Sequence, residues 1–181
     1  MPQEVRTPAQ LAEEARGIYQ AGEYTAAGQL YQAAAQAYQA VNEALLAAEM
    51  ANNSSVAWLQ AGEANQALQA VGGTPDIFGA AGDVRRQAMA LGNQAAALEA
   101  LRRRDEAMAL YQQSADLLQQ AGEGELRAYV MQAISKLQFR AGRHFEALAS
   151  MQAGMEGIRH PTLKQRVLKR LLRLPLRSLT K

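Results

Sequence analysis

Several things are missing from the 181 residues, and each absence excludes something. There is no cysteine, which removes a disulfide framework, a thiolate nucleophile and a cysteine-ligated zinc site. Aromatics are only 6% and β-branched residues are few, so a strand-rich sandwich or barrel is not expected. No apolar run reaches the roughly 18 residues that a membrane-spanning helix needs. The start, Met1-Pro2-Gln3-Glu4-Val5-Arg6, has no basic stretch followed by an apolar one. A secretory signal is therefore not expected, and the cytoplasm is the expected location. What is abundant is Ala, Gln, Leu, Glu and Arg, residues that favour helix, in a chain that is 49% apolar and able to bury a core.

Acid is also missing from one end. All 17 acidic residues lie at or before Glu156, so the first 157 residues carry a net −6 and the last 24 a net +8. The overall +2 hides that split.

The chain repeats with a period of 40 residues. Gly22, Gly62, Arg102 and Gly142 fall in one column, and five places later stand Ala27, Ala67, Ala107 and Ala147. Seven places before the anchor are Ala15, Ser55, Ala95 and Ser135, all small. Large residues keep their own columns: Tyr31, Val71, Tyr111 and Met151, then Tyr38, Phe78, Leu118 and Ile158. A second punctuation column reads Asn42-Glu43, Gly82-Asp83 and Gly122-Glu123. Gly and Asn can take the left-handed backbone that ends a helix, and an acid just after suits the positive end of the next. Each period is thus a pair of helices, A and B. Small residues let axes approach, and each pair leaves an apolar face that only a neighbouring pair can cover. The expected fold is all-α: an α-solenoid of about four antiparallel helical hairpins plus a C-terminal amphipathic helix. An ordinary four-helix bundle is the rival, but a bundle needs no 40-residue register. The expected units are near 3–42, 43–82, 83–122 and 123–158, with 159–181 a basic capping helix and tail.

The segment Gly17-Ile18-Tyr19-Gln20-Ala21-Gly22-Glu23-Tyr24-Thr25-Ala26-Ala27 resembles the turn of a tetratricopeptide repeat. So do Leu137–Ala147 and Ala61–Ala67, while Arg102–Ala107 lacks the glycine. The period is longer than that family's usual one. It is closer to the extended hairpin arrays of soluble NSF attachment proteins and related bacterial regulators, over about residues 8–158. That resemblance implies a non-enzymatic scaffold holding a partner peptide or amphipathic helix in a concave groove lined by helix A. Mapped onto this chain, the groove positions are Arg16, Tyr19 and Gln20; Asn52, Leu59 and Gln60; Met89 and Glu99; and Tyr129, Gln132, Lys136, Phe139 and Arg140. The carboxylate clamp of chaperone-binding relatives is not expected: its positions hold Ala12, Arg16, Asn53, Met89 and Asn93, of which only Asn53 fits.

The second unit is interrupted at Gly72-Gly73-Thr74-Pro75. A short helix over 63–71, an irregular stretch and a turn near 75–81 are expected there, either as an opening for a ligand or as drift in a tolerant region. His144 and His160 lack a carboxylate pattern for a metal or dyad, and no cofactor is expected. Gly79-Ala80-Ala81-Gly82-Asp83 lacks the strand and the ending of a phosphate loop. In the tail, Thr162-Leu163-Lys164-Gln165 has capping-box spacing, and Pro175 stops the helix that it starts. Leu163, Val167, Leu171 and Leu174 share one face, and Arg166, Lys169, Arg170 and Arg173 the other, with Lys164 nearby. A cap on the last hairpin is the first reading. Docking on anionic membrane, an acidic protein or nucleic acid is the alternative. Ala-rich end surfaces also permit a homo-oligomer.

Overall fold

The computed structural model describes residues 6–158, 161–163 and 166–167. Among them are nine helices and no strand: α1 (Pro8–Gln20), α2 (Tyr24–Ala40), α3 (Ala44–Gln60), α4 (Ala64–Val71), α5 (Thr74–Ala80), α6 (Val84–Ala100), α7 (Arg104–Gln120), α8 (Gly124–Arg140) and α9 (His144–Glu156). The fold class is all-α, of the solenoid kind.

The turns explain the register. Residues 22, 42, 62, 82, 102, 122 and 142, spaced 20 apart, all have positive φ, including the non-glycine Asn42 (61°) and Arg102 (62°). After each, the next backbone N–H reaches back five residues, as in Glu23 N–H to the Ile18 carbonyl (3.1 Å) and Arg143 N–H to that of Gln138 (2.9 Å). This pattern closes a helix and starts the next within three residues. At Arg102 the motif survives a side chain that strains it.

Burial follows the columns. Ala27, Ala67 and Ala107 are at 0% exposure, and Ala15, Ser55, Ala95 and Ser135 are buried too. Tyr31, Val71 and Tyr111 are buried, as are Phe78 and Leu118, whereas Met151 and Ile158, the last members of those columns, are only half-buried.

The chain forms two compact units, Met1–Leu110 and Tyr111–Lys181, with the boundary inside α7. In the first, α2 packs on both α1 and α3, and α3 on α4, α5 and α6. In the second, α8 packs on α9. Their approach is close because Gly154 has no side chain: a Cβ there would stand 2.8 Å from that of Met131.

The interrupted second unit differs from expectation. Residues 74–80 are a helix, not a turn. Gly73, at φ 77°, ends the first piece, and the Thr74 hydroxyl donates to the Val71 carbonyl at 2.9 Å. Pro75 falls in the first turn of α5, where the missing N–H costs nothing. Phe78 is thereby delivered to the core, 1% exposed.

Candidate partner-binding surface

In the first unit the mapped groove positions divide. Arg16 and Gln20 are exposed at the end of α1, with Arg16 paired to Glu13, which raises its pKa through that hydrogen bond. Tyr19 is half-buried and meets Tyr24 edge-on at 5.3 Å. Leu59 packs against the core around Trp58, Ala67 and Ala97, while Gln60 is exposed. Glu99 and Met89 are half-buried and exposed respectively. Asn52 leaves the set. It is 8% exposed, and its side-chain oxygen accepts from the Asn93 amide at 3.0 Å, so it ties α3 to α6.

In the second unit the mapped residues form one surface. Tyr129, Gln132, Lys136, Phe139 and Arg140 recur at helical spacing along α8 and are all exposed, Tyr129 by 74% and Phe139 by 63%. Two hollows lie between this face and α9. The one nearer the start of α8 has a volume of ≈ 390 Å³ and includes Tyr129, Gln132, Met155 and Ile158. The other, ≈ 400 Å³, sits beside the α8–α9 turn. Phe139, Ala147, Leu148 and Met151 give it apolar walls, and Lys136, Arg140 and His144 give it a polar margin. His144 stands edge-on to Phe139 at 4.7 Å.

The α9 contribution is absent from a reading that places the groove on helix A alone. Met151 and Ile158 stand in the large-residue columns, but only the pairing of α8 with α9 puts them beside the α8 face.

Two other features came only from the structure. Arg86 binds Asp83 (2.6 Å) and Glu49 (3.2 Å) and lies over the Phe78 ring at 5.2 Å. The Arg86 backbone N–H and side chain both donate to Asp83 and hold its carboxyl below the ordinary value. Beside the break, a cleft of ≈ 380 Å³ is lined largely by Ala and Gln, among them Gln32, Gln36 and Gln69. Of the basic-tail residues, Arg166 is described: it is exposed, its backbone N–H donates to the Thr162 carbonyl (2.9 Å) and its side chain to that of Pro161 (3.1 Å). Lys164, Lys169, Arg170 and Arg173 lie outside the described residues, as do Leu171 and Leu174.

Comparison with known families decides the identity. The family described as soluble NSF attachment protein, SNAP, matches residues 6–179. The chain belongs to that family. No match is found among curated individual proteins. The family is one of helical scaffolds that bind protein partners, and its members are non-enzymatic adaptors. Among the described residues no helix is long and apolar enough to cross a membrane, and no cluster of metal-ligating side chains occurs.

Proposed function

We propose that this chain is a non-enzymatic adaptor that holds a partner peptide or amphipathic helix against its helix-A faces, with α8 as the principal element. The observation that carries this is the α8 face. Tyr129 and Phe139 are large, apolar and more than half exposed, and they share that face with Lys136 and Arg140. Rings flanked by cations give an anchor and a means of orienting an acidic partner. The family's name refers to attachment to NSF, which is in keeping with a protein partner.

The double variant Lys136→Glu/Arg140→Glu should abolish partner capture in a pull-down and shift the melting temperature by no more than about 2 °C, as exposed charges contribute little to stability. Capture at the wild-type level would remove the α8 face from consideration. A second reading places the contact on the C-terminal basic segment, where Leu163 (77% exposed) and Val167 (54%) stand beside Arg166. The same pull-down with Lys169, Arg170 and Arg173 changed to Gln in the full chain separates the two.

A further inference from the structure

The helix that covers the first hairpin has a counterpart in the sequence after the last. Three periods of 40 carry α1 and α2 onto α8 and α9, and α3, residues 44–60, onto residues 164–180. The two hairpins match closely. Gly22 and Gly142 turn at φ 84° and 76°, and Tyr19 against Tyr24 is matched by Phe139 against His144, with ring planes at 61° and 63°.

α3 meets α2 through one face. Its Ala47, Ala51 and Ser54 line a cleft with Gln32, Ala35, Gln36 and Gln39 of α2. The Ser54 hydroxyl donates to the Gly28 carbonyl at 2.8 Å, and the Trp58 ring lies so close to Gly28 that a Cβ there would stand 2.8 Å from it. Positions 47, 51, 54 and 58 are neighbours on a helix surface. Their counterparts are Val167, Leu171, Leu174 and Ser178, of which the first three make up the apolar face of the C-terminal segment. On the hairpin side Gly28, Tyr31 and Ala35 become Leu148, Met151 and Met155. At one contact bulk has changed sides: glycine under tryptophan becomes leucine opposite serine. A helix started at Thr162 and stopped by Pro175 is not expected to reach residue 178, so Leu148 supplies the volume that Trp58 supplies in the first hairpin. Met50, buried in the same core as Tyr31, becomes Arg170, a residue whose stem lies on apolar surface while its head stays in water.

We propose that residues 167–174 seat their apolar face on α9 as a fifth helix A, with Val167, Leu171 and Leu174 against Leu148, Met151 and Met155. The occupant of this seat is therefore a segment of the chain itself. Three further observations support it. The Arg166 backbone N–H donates to the Thr162 carbonyl at 2.9 Å, a helical bond one period on from the start of the series that α3 opens. Val167 is 54% exposed, an apolar surface that the seat removes from water. The family match runs through residue 179, so the segment belongs to the same pattern as the array. Seated so, Lys169 takes the phase of Met89 and Tyr129, and the α8 face and the basic segment become one surface. A partner on that surface presupposes the adaptor reading; the packing does not.

Because the chain has no cysteine, a disulfide can measure the contact. Leu148→Cys/Leu174→Cys puts thiols at the counterparts of Gly28 and Ser54, and Leu148→Cys/Arg173→Cys puts the second thiol on the other face. In the full chain, in a glutathione redox buffer, the first pair should close within one chain at least about tenfold faster than the second, read by the mass of maleimide-quenched protein. Equal rates overturn the seat. So does closure between chains, which would place the segment on a second copy. If the pair disturbs folding, a single thiol serves. Met151→Cys should react with a maleimide about tenfold faster once Leu171→Asp/Leu174→Asp is added, at unchanged helical circular dichroism. An unchanged rate overturns the proposal. The adaptor reading is judged separately, by the pull-down.

Discussion

The first and the last hairpins share a turn, a ring pair and a column of small residues, yet among the described residues a further helix covers only the first. On the first, α3 lies along α2; Tyr31 is buried and Gly28 accepts an indole at contact distance. On the last, the corresponding Met151 is half-buried and Leu148 exposed. Side-chain size follows this difference. Where α3 approaches, position 28 is glycine; on the last hairpin the corresponding position 148 is leucine. Repeat columns therefore carry two kinds of information. The turn and the small-residue positions set the fold, and departures at the remaining positions mark which faces are spent inside it.

The strongest way to break this comparison is to remove the covering residue. Trp58 is 7% exposed, and Trp58→Ala should cost about 3–5 kcal/mol, because both the buried surface and its fit over Gly28 are lost. Leu148→Ala in the last hairpin should cost less than about 1 kcal/mol, since that side chain is already 43% exposed. Denaturant unfolding followed by circular dichroism measures both. Equal losses would mean that the two faces are covered alike.

A second contrast separates the helix starts. Asp83 caps α6 by accepting from the Arg86 backbone N–H at 2.9 Å, whereas α8 and α9 begin after Glu123 and Arg143 without a side-chain cap. The Asp83 carboxyl is held below its ordinary value, first by that backbone N–H and then by the Arg86 side chain. Its contribution is accordingly present above the unfolded value of about 4 and is lost as pH falls through the folded one. Asp83→Ala should cost about 1 kcal/mol at neutral pH. Asp83→Asn, which keeps an acceptor, should flatten the acid limb below about pH 4. Exchange of the Arg86 amide at pH 3 against pH 6, beside first-turn amides of α9, reads the effect locally. Equal acid sensitivity at both places would contradict it.

How much of this was legible follows from which residues act alone. The turn columns were readable because one conformation at one position, φ > 0, selects Gly or Asn in nearly every unit. The interrupted unit differs from the expected turn because proline breaks only the interior of a helix, and Pro75 stands in a first turn. Two Gly supply the break, and the same proline then starts a helix one residue inside it. Asn52 looked like a groove residue because its phase is right; its hydrogen bond to Asn93, 41 positions away, depends on how α3 and α6 pack. The α8 side of the candidate face follows from helical spacing along one segment. Its α9 side needed the pairing of two helices, which no single column displays.

The smallest expected effect tests whether the turns are equivalent. The first and last hairpins turn at Gly22 and Gly142, the third at Arg102, with φ of 62°. An L side chain in that region crowds its own carbonyl, so Arg102→Gly should relieve strain on the order of 1 kcal/mol. Glycine also gains freedom in the unfolded chain, which offsets roughly 0.4–1 kcal/mol of the relief. The net change is then a stabilisation of a few tenths of a kcal/mol, near the limit of thermal melts run in parallel. Asn42→Gly should give less, because Asn enters this conformation more readily than Arg. The order matters more than the size. If Arg102→Gly destabilises while Asn42→Gly does not, the Arg102 side chain makes interactions at that turn that outweigh its backbone strain, and the third turn is not a plain copy of those in the first and last hairpins.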